Sequence, residues 1–235
     1  MIILNRKRIL YILLFLFLAI LFTYSSTEEE KYIETFALPI SNHTIILDAG
    51  HGNPDGGAEG ISGVTEEKIN LEIVLKLQEL LEQSGCVVLL TRSDENGVYD
   101  IDKKTIKEKK VSDMKNRVEL SKTSEAEIFV SIHLNKINEE KYSGYQTFYQ
   151  VNNENSKELA MFIQDNLNFA IQKENKREIM PLKGKYIMEN VKIPTVTVEC
   201  GFLSNVEEEK LLQNEDYQMR IAWGIYTGIM DYFYE

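Results

Sequence analysis

Cysteine and histidine are scarce in this 235-residue chain, with two and three copies, and positive charge is short as well. Two cysteines, Cys86 and Cys200, cannot form the disulfide framework that staples small exported domains. Both fall in or beside apolar runs and read as small core hydrophobes. They stand too far apart for a Cys-x-x-Cys pair, which removes the usual structural-zinc pattern. The 26 Lys and Arg residues against 37 Asp and Glu leave a formal net charge of −11. Nothing in such a chain neutralises a run of phosphates, so no nucleic-acid partner is expected. An anionic cell-wall polymer would have to be held by specific contacts, not by bulk attraction. Internal repeats and a second domain are also missing, and the length suits one globular domain with an appendage.

The appendage is N-terminal. Arg6, Lys7 and Arg8 precede an unbroken apolar run from Ile9 to Phe22, and a polar stretch follows. A basic segment ahead of a short apolar one reads as a secretory signal, and the run falls short of the about 20 residues that span a membrane. Residues 1–26 are therefore expected to be a signal peptide or a short uncleaved anchor that tethers the protein to a membrane. No lipobox-like cysteine follows the run, so a lipid anchor is not indicated. Residues 27–43 read as a tether, and 44–235 as the catalytic domain. The expected location is outside the cytoplasm, secreted or membrane-anchored.

Within 44–235, apolar runs alternate with periodic segments. Strands are expected at Thr44 to Leu47, Cys86 to Thr91, Ile128 to Leu134, Gly144 to Val151, Lys185 to Met188 and Thr195 to Glu199. Helices are expected from about Glu67 to Ser84, Ser112 to Thr123, Asn155 to about Ile171, Glu207 to Leu212 and Asp216 to Tyr234. Arg92 to Lys110 is charged and aperiodic and reads as a long surface loop or flap, a candidate for partner or substrate contact. The alternation implies an α/β single-domain sandwich with a mostly parallel central sheet flanked by helices.

The chemistry collects at the carboxyl ends of these strands, where open α/β sheets bind ligands. His43 precedes the first strand and reads as a solvated tether residue. His51 and His133 each close a buried strand, and Glu67 opens the helix between them. A lone histidine at such a place is more often structural. Two histidines and one carboxylate at one sheet edge match a ligand set of catalytic zinc, which keeps a fourth position open. Glu199 ends another strand at the same edge, and a glutamate there suits proton transfer to a leaving nitrogen.

Four stretches resemble a known family: Leu47-Asp48-Ala49-Gly50-His51-Gly52, Glu67-Lys68-Ile69-Asn70-Leu71, Ser131-Ile132-His133-Leu134-Asn135 and Val198-Glu199-Cys200-Gly201-Phe202-Leu203-Ser204-Asn205. In order and spacing the chain from 44 to 235 resembles the zinc-dependent N-acetylmuramoyl-L-alanine amidases, the amidase-3 family, and most of all its germination-specific, CwlD-type branch in spore formers. Ala49 stands where the family commonly has proline, and Asn53 where it has glycine. The resemblance implies that Zn2+ is held by His51, Glu67 and His133, and that Glu199 is the catalytic acid and base. Glu66 is the competing carboxylate; Glu67 is preferred because it directly precedes the lysine of the family motif. Asp48 is expected either to orient a ligand or to cap the loop, and Arg117 and Asn135 to contact substrate or scaffold. The implied substrate is peptidoglycan of cortex or cell wall, cut between muramic acid and L-alanine on the way to muramic-δ-lactam. The forespore intermembrane space is the implied compartment, with a regulatory protein as a further partner. Two other readings compete: a zinc peptidase acting within the stem peptide, and a non-catalytic peptidoglycan-binding module.

Overall fold

A computed structural model describes residues 5–25, 38–172 and 175–234. It divides into two compact units, Met1–Ala37 and Leu38–Glu235. The first contains one helix, α1 (Arg6–Ser25). Among the described residues no helix is long and apolar enough to cross a membrane. Of the expected tether, residues 27–37 lie outside the described residues. Leu38 to His43 belongs to the domain: Ile40 is fully buried in its core. His43 is no solvated tether residue either. Its ring stacks on Phe233 with centroids 4.0 Å apart, and its Nδ1 lies 2.9 Å from a Glu127 carboxylate oxygen.

The second unit is the expected α/β sandwich. Its six strands are β1 (Thr44–Ala49), β2 (Val87–Leu90), β3 (Ile128–Asn135), β4 (Gln146–Gln150), β5 (Met180–Leu182) and β6 (Thr195–Phe202). They lie in the order β2-β1-β3-β6-β4-β5. The run β2-β1-β3-β6 is parallel, and β4 joins β6 antiparallel. The parallel run puts the carboxyl ends of β1, β3 and β6 side by side, which is what creates the site.

The helices are α2 (Glu66–Gln83), α3 (Ile106–Thr123), α4 (Glu154–Ile171), α5 (Tyr186–Asn190), α6 (Val206–Leu212) and α7 (Glu215–Tyr234). Alternation along β1 sorts its side chains between two cores. Ile45 and Leu47 join the larger one, with Ile73 and Leu77 of α2, Ile163 of α4 and Ile225 of α7. Ile46 joins the smaller one with Phe129, Val118 of α3 and Ile187 of α5. Cys86 and Cys200 are free and buried, as small core residues.

Two elements differ from expectation. Lys185 to Met188, expected as a strand, begins α5 instead, because Met180–Leu182 has already taken the place beside β4. Pro181 fits that position, since an edge strand tolerates a missing donor. Gly184 then turns the chain with φ +73°, and its N–H donates to Glu189 Oε1 of α5 at 2.8 Å. The second difference is α3, which starts at Ile106 inside the expected flap. Thr105 and Glu108 form a reciprocal capping box there, a Thr-x-x-Glu pattern that charge had obscured. The remaining loop is no free flap. Asn53 N–H donates to Glu95 O, Gly97 N–H to Asn53 O, and Val98 N–H to Asp113 Oδ1.

α7 packs closely on α4 through Gly224 and Gly228. A Cβ at Gly228 would come 2.6 Å from Ile163 Cα, a backbone atom that cannot swing aside. Gly228→Ala should therefore destabilise residues 38–235 by about 1–3 kcal/mol, although alanine favours an isolated helix. Urea unfolding with an unchanged m-value checks this; a midpoint equal to or above the wild type would show that the helices separate freely.

Candidate active site

β1 delivers the first histidine. Past Ala49 the chain leaves the sheet, and His51 sits at φ +64°, in the left-handed region. Two guanidinium groups hold the carbonyls of this turn. Arg92 donates to Ala49 O at 2.8 Å and Gly50 O at 3.1 Å. Arg117 donates to Ala49 O at 2.8 Å and His51 O at 2.5 Å. The same Arg117 pairs with Asp48 Oδ1 at 2.6 Å, and Asp48 Oδ2 accepts from Ser131 Oγ. Burial would raise the Asp48 carboxyl, but Arg117 and Ser131 outweigh it and keep it below its ordinary value. Asp48 and Arg117 are thus scaffold, the loop-holding alternative of the two expected for each.

The carboxylate that meets the histidines is Glu66, not Glu67. His51 Nε2 lies 3.3 Å from Glu66 Oε2, and His133 Nδ1 lies 2.9 Å from Glu66 Oε1. The neighbour Glu67, expected as the ligand, turns away: it accepts from Thr65 Oγ1 at 3.1 Å and stands 3.9 Å from Arg92 Nη1. The physical reason is helical phase. Consecutive residues point about 100° apart around the axis, so only one of the pair faces the sheet edge. Because α2 starts at Glu66, that residue occupies the first turn beside the loop. Backbone donors complete its cradle, from Ala58 at 2.9 Å and Leu134 at 3.0 Å. Burial would raise the Glu66 carboxyl, yet the hydrogen bonds from His133 and His51 hold it well below the usual carboxylate range.

Glycine makes this convergence sterically permissible. A Cβ at Gly50 would run into the His133 ring, and one at Gly57 would meet Glu66 Oε2 and the His51 ring. His51 is oriented from behind by Asp55, which accepts from its Nδ1 at 3.0 Å and itself pairs with Lys110 at 2.8 Å. That leaves Nε2 turned to Glu66. Burial works against a charged His51, but the bonds to Asp55 and Glu66 prevail and push its pKa up to about 9. Asp55 and Arg92 escaped the sequence reading, and Glu66 was weighed there but set behind Glu67. Asp55 had one signal, its place four residues after His51; nothing in spacing separates Glu66 from Glu67.

Glu199 stands beside the cluster, paired in register with His133. Its Oε2 is buried without a hydrogen-bond partner. Burial raises its pKa, only partly opposed by the His133 imidazole. These groups line a cleft of about 400 Å³, together with Asn135, Lys136 and Lys185.

The ligand atoms of His51, Glu66 and His133 all lie within 4.8 Å of one another. Two imidazoles and a carboxylate, one imidazole backed by Asp55 and one side open to the cleft, are a fitting donor set for a catalytic divalent ion. A buried carboxylate beside such a set belongs to hydrolytic chemistry. The comparisons make the class specific. The N-acetylmuramoyl-L-alanine amidase family, amidase-3, matches residues 45–231. The germination-specific N-acetylmuramoyl-L-alanine amidase of Bacillus subtilis (strain 168) is 36% identical over 229 residues, 97% of this chain and 95% of that protein. The CwlD amidase from Clostridioides difficile, solved in complex with the GerS lipoprotein, superposes with TM-score 0.79 at 48% identity, covering 81% of this chain and 98% of that one. The catalytic domain of CwlV, an N-acetylmuramoyl-L-alanine amidase from Bacillus (Paenibacillus) polymyxa, gives 0.70 at 33% identity over 81% and 97%. The chain belongs to the amidase-3 family of N-acetylmuramoyl-L-alanine amidases and is an enzyme of that class.

The two adjacent glutamates separate in a metal titration. Glu66→Gln should weaken binding of an added divalent ion roughly a hundredfold or more, whereas Glu67→Gln should change it only a few-fold. Chelator competition measures both, and the reverse ranking would refute the assignment. Acid should act in a defined direction. A proton on His51 must leave before a metal binds, so affinity should fall about tenfold per pH unit below about 9, with proton release on binding. A pH-independent affinity between 6 and 9, by calorimetry in two buffers, would contradict this.

Proposed function

We propose that this protein is an exported zinc amidase that hydrolyses the amide between N-acetylmuramic acid and L-alanine in peptidoglycan, with spore cortex as its wall. The observation that carries the reading is the pairing of a His51–Glu66–His133 donor set with a buried, partnerless carboxylate oxygen on Glu199. A pure binding module has no use for that carboxylate. Zinc, when bound, would supply a Lewis acid that polarises the scissile carbonyl and makes water nucleophilic near neutral pH.

The chain's own residues do the rest. Glu66 is fixed by the Ala58 and Leu134 amides, and His51 by Asp55, so the donors are held in place before any ion arrives. Glu199 has a raised proton affinity because it is buried. It is thereby suited to take a proton from the attacking water and to deliver it to the L-alanine nitrogen as the amide breaks.

Three finer points belong to the same proposal. The match to the germination-specific amidase of Bacillus subtilis over nearly the full length of both chains favours cortex and a product that feeds muramic-δ-lactam formation. The GerS lipoprotein bound to CwlD favours a regulatory protein partner here. The basic residues Arg6 to Arg8 ahead of the Ile9 to Phe22 run favour export, with or without retention as a membrane tether.

Glu199→Gln should lower the release of new L-alanine amino termini from purified cortex by about 10²–10⁴-fold while zinc content stays at the wild-type level. Mass spectrometry of digested wall together with metal analysis reads both. Cleavage at any other bond would replace the amidase by the peptidase reading, and undiminished release by the variant would remove Glu199 from proton transfer.

A further inference from the structure

One cation in the cleft is not used by the scaffold. Lys110 pairs with Asp55, and Lys136 donates to Glu59 O at 2.6 Å. Lys185 lines the same cleft and has no ion pair among the described residues. It stands just before α5, past the turn at Gly184 that ends β5. Its charge lowers the proton affinity of Glu199, so its field reaches the reacting centre. Lys185 is exposed at the cleft, so its ammonium is free to meet an anionic group that enters there.

The strand order says which part of a substrate passes it. From the donor set the sheet runs β1, β3, β6, β4, β5. His51 follows β1, His133 lies near the end of β3, and Glu199 lies beside it on β6. A glutamate that protonates the leaving nitrogen must stand on the leaving group's side of the scissile carbonyl. The L-alanyl peptide therefore extends past Glu199 toward β4, β5 and the turn carrying Lys185. At about 4.8 Å per strand, β5 lies about 10 Å beyond β6, a span of about three extended residues that the lysine side chain shortens from its end. The glycan lies on the opposite side, over the donor set.

We infer that Lys185 is a specificity residue for the leaving peptide, binding a free carboxylate on the residue that follows L-alanine. This rests on the amidase reading. In peptidoglycan that residue is a γ-linked D-glutamate whose α-carboxyl is either free or amidated. An ammonium discriminates the two forms, because only the carboxylate gains a charge-assisted bond. Lys185 is not required for the chemistry and does not hold the metal.

The test compares two glycan substrates alike except for D-isoglutamate or D-isoglutamine in the stem, using zinc-loaded protein and scoring released L-alanine amino termini. Wild type should prefer the free carboxylate by about fivefold in kcat/KM, as expected for a partly exposed ion pair, with the difference in KM. Lys185→Met should bring that ratio to about one, and Lys185→Arg should retain most of it. Removing the ammonium also alters Glu199, but both substrates share that effect, so the ratio isolates recognition. Lys183→Met, which removes an equal charge outside the cleft, should leave the ratio unchanged. A wild type without preference, or a preference that survives Lys185→Met, overturns the inference while leaving the amidase reading intact. Failure of the wild type to release L-alanine termini from either substrate overturns both.

Discussion

Three carbonyl groups decide where the chemistry can happen. Ala49 ends β1, Gly50 and His51 leave the sheet after it, and their oxygens need donors in a buried turn, one of which Asn70 gives to Gly50 O. Arg92 and Arg117 satisfy them from two different elements, one just past β2 and the other within α3. Two buried cations side by side are costly, since each loses its hydration. Asp48, fully buried, offsets part of that cost through Arg117, and Asp113 receives the rest of the same guanidinium. The result is a turn fixed from below, with His51 in a left-handed conformation that a loop with fewer partners would not hold.

On that support the site divides into two halves. The half with the candidate donor set is held in place: its carboxylate is bonded to backbone amides, and one histidine is aligned by a carboxylate behind it. The half around Glu199 is the opposite, with a buried oxygen left without a partner. Leaving a buried polar atom unbonded is unfavourable, and such groups persist where function uses them. The two halves meet because β3 and β6 are neighbours in register, with His133 beside Glu199. Sheet pairing, not a local motif, sets their separation.

The polar rim uses residues far from the chemistry to the same end. Glu209 of α6 accepts from Ser62 N and Oγ at 2.8 and 2.7 Å, holding down the loop that carries Ala58. Asn205 caps α6 through the amides of Glu207 and Glu208. Asn205, the last residue of the fourth family-like stretch, thus serves to anchor the rim.

The sequence by itself determined the alternation of strands and helices, the buried runs, the burial of both cysteines and three of the four central site residues. Those follow from periodicity and from strand ends, which are local properties of the chain. His51, His133 and Glu199 were legible because each ends an apolar run. Glu66 was not, because choosing between two adjacent glutamates depends on the rotational phase of α2 against the sheet, which no local pattern records. The fate of Arg92 to Lys110 was hidden for a related reason: its order comes from hydrogen bonds to Asn53, distant in sequence, and to Asp113 on α3. The strand at Met180 likewise displaced the expected one because it reached the free edge of β4 first. Composition and period fix the type of most elements, with α5 as the exception; only the packed fold decides which face each presents and which neighbour it finds.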